Sequence, residues 1–557
     1  MTSRTTLILS LLLLGIALNV LTLATWSPAY ISNDGVQYLS TAENWLTGNG
    51  FSTDALIYAP HFQGDLPAIQ TVWPPGYPFA ISMTSLLGFD LEITMLILNL
   101  IMHATAALVI WRIFLKMGME KFFAATCAFA FYFMALPWAY ASAGMTEPLF
   151  TTLLLLGMLF LPVPNKSNLF YWIACGLFLT ASIFVRYSSV FAAFGTGVGI
   201  FAYMALYERK SFAAPVKPAF NLAMLVALPT IGFGYLMYRT YIFIGTLDRY
   251  SGSKTPETVA STAKRWLAKS SELIGFTTAD PANGLIVVFW FLIFSLLVAG
   301  IISVFLYGDN NYLKPSSKVN KADYLRLFTL VATFHCLSLV VYLSINSVRS
   351  SPLEIITRYL YQIYPSLYAL FCYMLYSLFK YYNSGKKQLV LKISASALIA
   401  LYLVAQLNSL RVTRPIFFRD AMITVEMMEL PVNDSTTVKD AIKHCFANGK
   451  LGKSIWSPHA QPIHLHTGIP TISQIFNYTD KPFDASAFHD RIMQYQTGMF
   501  VFINFLDYPN EKHDQYMKSA KNWLIDNNYL EVALQSNTFG LNRTVEIYSI
   551  DPECHAS

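Results

Sequence analysis

Residues 7–45 read LILSLLLLGIALNVLTLATWSPAYISNDGVQYLSTAENW. The first half is apolar from Leu7 to Leu23, which suits a helix crossing a bilayer. The second half turns polar and places two acids, Asp34 and Glu43, close to the membrane exit. No cation accompanies them: after Arg4 the next Lys or Arg is Arg112. Only one basic residue precedes the apolar run, and Ala29-Tyr30-Ile31 is a poor cleavage sequence, so the run reads as a first spanning helix and not as a signal peptide.

The rest of the chain repeats the pattern. Of 557 residues, 55% are hydrophobic and 13% charged, with mean hydropathy +0.44. Soluble domains carry about 25% charged residues. Apolar stretches bounded by polar turns predict a polytopic α-helical membrane protein of about eleven spans. They fall over 6–26, 92–115, 122–140, 147–163, 169–185, 189–207, 219–244, 285–307, 325–346, 359–380 and 389–409.

Charge orients them. With the N-terminus cytoplasmic, the inner turns hold Lys116, Lys121, Lys166, Arg209, Lys210, Lys217, Lys314, Lys318, Lys321, Arg326, Lys380, Lys386 and Lys387. The positive-inside rule asks for this segregation. An odd number of spans puts the C-terminus outside. A bacterial inner membrane suits this topology. A net charge of +6, spread over turns, gives no nucleic-acid surface.

Two domains follow. Residues 1–410 form the membrane domain, with outer loops at 28–91 and 246–284. Residues 411–557 are mixed polar and read as an extracytoplasmic α/β domain. Its strands are expected around 454–465, 499–505, 530–534 and 544–550, with an amphipathic helix over 514–527. In the first loop, Val36, Leu39 and Leu46 space a short interfacial helix, and Trp73-Pro74-Pro75-Gly76-Tyr77-Pro78 reads as an extended elbow before a second helix over 79–88. The second loop suggests another surface helix. Cys127, Cys175, Cys336 and Cys372 lie in apolar spans; Cys445 and Cys554 lie in the outer tail, where a disulfide is compatible with an oxidising compartment.

The chemistry-bearing residues each have two readings. Asp34 either caps a helix beginning at Gly35, with Gln37 completing a capping box, or serves as a general base at the membrane surface. Glu147, in Met145-Thr146-Glu147-Pro148, either opens a helix favourably to its dipole or is an ionisable group placed for function. The outer cations Arg186, Lys264, Arg265 and Arg358 either reach lipid headgroups or jointly hold one lipid phosphate. His464 and His466, two apart, share a face if they lie on a strand; with no third ligand in sight they make no metal site.

In order, Asp34-Gly35 with Tyr38, the Trp73–Pro78 elbow, Thr146-Glu147-Pro148-Leu149-Phe150, Arg186-Tyr187, and Arg358-Tyr359 with Pro365 resemble the C-type membrane glycosyltransferases, in particular the group of protein O-mannosyltransferases and the lipid A aminoarabinose transferase. The resemblance covers about residues 7–410. It implies inverting transfer of a hexosyl or pentosyl group from a polyprenyl-phosphate donor to a hydroxyl of a lipid, glycan or protein. It makes Asp34 the base; Glu147 is the further catalytic candidate, with Glu43 as an alternative for a shared role, and Tyr38, Glu43, Tyr77, Arg186, Lys264, Arg265, Arg358 and Tyr359 are the candidates on the substrate side. Family members often show two adjacent acids after the first span; Asn33-Asp34-Gly35 offers one. No cofactor is required, and a divalent cation has no ligand motif to hold it. The competing readings are a transporter or lipid flippase, for which an internal repeat and midplane charges are expected and absent from the sequence, and a lipid-linked glycan ligase or polymerase.

Overall fold

Four helices among the described residues are long and apolar enough to cross a membrane, and a bent pair makes up to five. The structure is a computed structural model. It describes residues 15–26 save 18, 31–56, 66–208, 216–245, 321–348, 361–381 and, in the tail, the segments between 431 and 549 that carry its helices and strands. The chain is an integral membrane protein. The predicted spans 285–307 and 389–409, the second outer loop beyond residue 245, and the tail cysteines lie outside the described residues.

In chain order the helices are α1 (Gly15–Thr25), α2 (Asn33–Leu46), α3 (Gly76–Ser85), α4 (Leu91–Met117), α5 (Lys121–Tyr132), α6 (Ala135–Ser142), α7 (Glu147–Leu159), α8 (Leu169–Val185), α9 (Val190–Tyr207), α10 (Val216–Ile244), α11 (Lys321–Val348) and α12 (Tyr364–Tyr381). Those of the tail are α13 (Ala460–Thr467), α14 (Ala485–Gln494) and α15 (Glu511–Asp526). The strands are β1 (Ser52–Thr53), β2 (Ala55–Leu56), β3 (Ala68–Ile69), β4 (Pro431–Asn433), β5 (Thr436–Thr437), β6 (Ser454–Trp456), β7 (Thr471–Ile472), β8 (Thr497–Asn504), β9 (Leu530–Leu534) and β10 (Thr544–Ser549). Contacts divide the chain into two compact units.

The first unit comprises Met1–Trp26, Leu96–Tyr238 and Ser253–Ile416. Small residues let its helices approach closely. Gly195 and Gly199 of α9 face α11, where a Cβ on Gly195 would come within 2.4 Å of the His335 backbone nitrogen. The third predicted span is not one straight helix. It breaks into α5 and α6, bent by 51°. The break frees the Tyr132 carbonyl, and a buried carbonyl needs a donor. Trp138 Nε1 donates to it at 2.7 Å and His103 Nε2 at 2.8 Å.

At one end of this unit the basic turn residues converge. Lys116 donates to the Leu159 carbonyl at 2.6 Å and lies over the rings of Tyr171 and Tyr324. Lys166 pairs with Asp323 at 2.5 Å, and Arg326 stacks on Tyr207. Basic turns as far apart in the chain as Lys116 and Arg326 therefore share one end of the bundle.

The second unit comprises Ser27–Met95, Arg239–Gly252 and Phe417–Ser557. It contains a six-stranded sheet in the order β2-β7-β6-β8-β10-β9. Strands β2, β7, β6 and β8 run parallel, and β10 pairs antiparallel with β8 and β9. Parallel neighbours need crossovers, and α13 and α14 supply them. Trp456, Phe488 and Phe500 meet in the core, with Trp523 of α15 against Phe488. One edge strand, β2, comes from the first outer loop, so loop and tail build one sheet.

Two local expectations change. The segment 454–465 is not a strand pair: β6 ends at Trp456 and α13 begins at Ala460. The second helix of the first loop starts at Gly76, inside the Pro-rich elbow. Pro78 is tolerated there because the first N–H groups of a helix have no intrahelical acceptor.

Candidate functional site

In the second unit, the site begins with the start of α2. Ser32, extended at φ −70° and ψ 162°, accepts the Gly35 N–H on its hydroxyl at 3.0 Å. Ser32 is therefore the N-cap, and Asp34 is not. Asp34 stands in the first helical turn, 8% exposed. A carboxylate there benefits from the positive end of the helix dipole.

Gln37, one turn on and 2% exposed, does not reach back to complete a capping box. Its side-chain oxygen accepts from Gln70 Nε2 at 3.1 Å and from Trp73 Nε1 at 3.2 Å. Gln70 in turn accepts the Val72 N–H on its own amide oxygen at 3.2 Å. Tyr38 is buried with its ring edge-on to Tyr77 at 5.0 Å and to Trp73 at 6.0 Å. The Trp-Pro-Pro-Gly-Tyr-Pro elbow thus folds its two aromatic residues around the helix that carries Asp34.

Helix α2 is held from several sides. Ser82 of α3 donates to the Ala42 carbonyl, Ser40 accepts the Asp54 N–H, and Asn44 donates to the Asp54 carboxylate at 2.8 Å. Helix α13 of the tail also packs on α2. Glu43 lies nine residues beyond Asp34, half a turn out of phase, and is exposed. It does not share a face with Asp34.

The cation-free loop acquires a cation from elsewhere in the chain. Arg239, near the end of α10, donates to the Gln70 carbonyl at 2.7 Å and to the Phe51 carbonyl at 3.4 Å. It had been absorbed into the predicted span 219–244. A lone Arg near the end of an apolar run was the signal available for it. Gln37 and Gln70 carried no signal at all as ordinary polar loop residues.

In the first unit, Glu147 and Arg186 form a buried ion pair. Glu147 opens α7 and is 0% exposed; Arg186 closes α8 and is 8% exposed. The two helices form a consecutive packed pair, so the start of one lies beside the end of the other. Thr146 accepts from Arg186 Nη1 and donates to Glu147, both at 3.4 Å. Asn99 holds the preceding turn through the Ala141 and Met145 carbonyls, each at 3.2 Å. Nearby, Gln362 donates to Ser188 at 2.6 Å, and Tyr361 meets Tyr140 edge-on. The sequence reading gave Glu147 and Arg186 separate tasks; the structure joins them.

Lys264, Arg265, Arg358 and Tyr359 lie outside the described residues. The two histidines do not share a strand face. Both lie on α13, where positions two apart diverge by about 200°. His464 is buried, with Nδ1 2.8 Å from the Ile469 carbonyl. Among the described residues, no three His, Cys, Asp or Glu side chains gather as a metal site.

No family model matches the chain, and no curated protein matches it. Solved structures do. ArnT from Cupriavidus metallidurans in the apo state aligns with TM-score 0.56 at 10% identity, over 98% of each chain. ArnT is a lipid A aminoarabinose transferase. Its form bound to undecaprenyl phosphate aligns at TM-score 0.51 and 10% identity, again over 98% of each chain. The chain has the fold of the C-type membrane glycosyltransferases. The archaeal oligosaccharyltransferase AglB from Archaeoglobus fulgidus, in complex with an inhibitory peptide and a dolichol-phosphate, aligns at TM-score 0.48 and 12% identity, over 99% of this chain and 75% of that one. The alignment with apo ArnT covers 98% of this chain, so it includes residues of the tail as well as of the spans.

Proposed function

We propose that the protein is an inverting glycosyltransferase that takes a hexosyl or pentosyl group from a polyprenyl-phosphate donor and gives it to a hydroxyl of a glycan, lipid or protein. The reaction takes place at the outer face of a membrane spanned about eleven times, with the N-terminus cytoplasmic, the tail domain extracytoplasmic and a bacterial inner membrane as the setting. The observation that carries this reading is the placement of Asp34. It is a buried acid in the first turn of a capped helix, on a chain with the fold of ArnT.

Asp34 takes the proton from the acceptor hydroxyl as its oxygen attacks the anomeric carbon. A new C–O bond forms on one face of the sugar while the bond to the phosphate oxygen breaks on the other. The polyprenyl phosphate leaves with the electron pair. It is a good leaving group and needs positive charge more than a proton. Arg186 supplies part of that charge, with Lys264, Arg265 and Arg358 as further contributors. Glu147 orients Arg186 through their buried ion pair. Tyr38 and Tyr77 shape the platform beneath Asp34.

The test uses the full chain in liposomes and a panel of radiolabelled undecaprenyl-phosphate sugars. Cleavage to undecaprenyl phosphate, with the label moved to an acceptor or to water, is the expected result. Recovery of every donor intact, with or without movement across the bilayer, would overturn the reading in favour of transport.

A further inference from the structure

The proton inventory around Gln37 points to an additional substrate contact. Trp73 Nε1 is a donor and nothing else. Gln70 spends its amide oxygen on the Val72 N–H, so its NH2 group faces Gln37. Both neighbours donate, and the atom of Gln37 that meets them must be its oxygen. The orientation of the Gln37 amide is thereby fixed without ambiguity. Arg239 steadies the arrangement by holding the Gln70 carbonyl at 2.7 Å.

The other end of that amide is the informative one. Gln37 Nε2 is buried and has no hydrogen-bond partner among the described residues. Buried donors are nearly always satisfied in native proteins, and exceptions ask for an explanation. Gln37 lies three residues after Asp34, so the two side chains occupy the same face of α2. An already desolvated donor beside a buried carboxylate is suited to an incoming oxygen, because no water must be stripped from it at the moment of reaction.

We propose that the Gln37 amide NH2 binds the oxygen of the acceptor hydroxyl, whose proton faces Asp34. This deepens the proposed function and rests on it. A hydroxyl oxygen accepts from Gln37 while its own hydrogen is given to Asp34. The pair fixes the nucleophile's direction as well as its protonation. The chemical class recognised is a neutral hydroxyl; an acceptor with an ammonium in that place brings no lone pair for the amide and is rejected.

Two substitutions separate a contact with substrate from a merely structural role. Gln37→Glu keeps an oxygen for Gln70 and Trp73 and replaces the NH2 with a second oxygen. Gln37→Met removes the donor without adding charge. The probes are the undecaprenyl-phosphate sugar that the wild type cleaves and, as acceptors, octyl glycosides and water. Both variants should lose about tenfold in kcat/KM for the octyl glycoside, the effect of one neutral hydrogen bond. The affinity for undecaprenyl phosphate should remain, and Gln37→Glu should keep the melting temperature. Wild-type kcat/KM for the acceptor in folded Gln37→Glu would overturn the inference and leave Gln37 as a brace for Trp73. Asp34→Asn in the same assay separates the two failures. A silent Asp34→Asn removes the base, whereas a silent Gln37→Glu beside a crippled Asp34→Asn removes only this contact.

Discussion

Asp34 and Glu147 look alike in sequence: each is an acid in the first turn of a helix near a membrane exit. Their surroundings differ. Asp34 stands one turn before Gln37, whose amide oxygen accepts from Gln70 and Trp73. Glu147 is locked to Arg186 in the interior of the helical unit. A carboxylate committed to a guanidinium is a poor acceptor for a substrate proton. Under the proposed function the labour divides: Glu147 positions Arg186, and Asp34 is the base.

The largest effect expected from this division is on stability. Glu147→Ala leaves the Arg186 guanidinium buried without its carboxylate, and breaking a buried pair by one partner costs about 3–5 kcal/mol. Replacing both together, Glu147→Leu with Arg186→Leu, should restore much of the loss, since no charge is then stranded. Thermal unfolding in detergent measures both. A Glu147→Ala protein as stable as the wild type would erase the distinction between the two acids.

Asp34→Asn should act on the other coordinate. Transfer per folded molecule should fall about a hundredfold, equivalent to about 2.7 kcal/mol in the barrier. The melting temperature should hold, because Ser32 carries the cap. Asp34→Glu should recover only part of the rate, since an added methylene displaces the carboxylate. If Asp34→Asn transfers normally while Glu147→Gln does not, the assignment of the two acids is reversed.

Arg239 sharpens the comparison from the cation's side. Arg186 meets a carboxylate, whereas Arg239 meets backbone carbonyls of the first loop. Removing Arg239 takes these two hydrogen bonds from the first loop. It costs a charge-assisted hydrogen bond, about 1.5–3 kcal/mol. Arg239→Met should therefore lower the melting temperature less than Glu147→Ala does, and should slow transfer through a loosened Gln70 and Gln37. Equal losses from the two variants would count against the contrast.

The sequence displayed the membrane class and the polarity of its turns because both rest on composition and period. Lys116, Lys166 and Arg326 were assigned to one side from charge alone, and their side chains do share one end of the bundle. The sequence could not reveal pairings between distant segments. Nothing near Glu147 announces Arg186, 39 residues on. Nothing near Ala55 announces Thr471, its strand partner in the tail. The α5–α6 break escaped notice because apolar composition runs through it unchanged, and only the tertiary donors His103 and Trp138 make it tolerable. At the Pro-rich elbow the breaker rule was applied to Pro78, which occupies the few positions of a helix where it does not hold.

The smallest expected effect isolates geometry from chemistry at Asp34. Ser32→Ala removes the hydroxyl that accepts the Gly35 N–H but leaves every group proposed to touch substrate. Loss of such a cap costs about 1 kcal/mol. The first turn of α2 then frays more readily, and that turn contains Asp34. A base that spends part of its time displaced loses rate in proportion, so transfer should fall several-fold with little change in affinity for undecaprenyl phosphate. Ser32→Asp and Ser32→Asn can still cap. Both should restore the melting temperature, but only Ser32→Asn should restore transfer fully, because Ser32→Asp adds a negative charge two residues from the base and alters its proton affinity. If Ser32→Ala lost stability yet kept full transfer, Asp34 would not depend on the first turn of α2 for its position. If Ser32→Asp and Ser32→Asn behaved identically in transfer across pH, an added charge beside Asp34 would not matter to the reaction, and its assignment as the base would lose support.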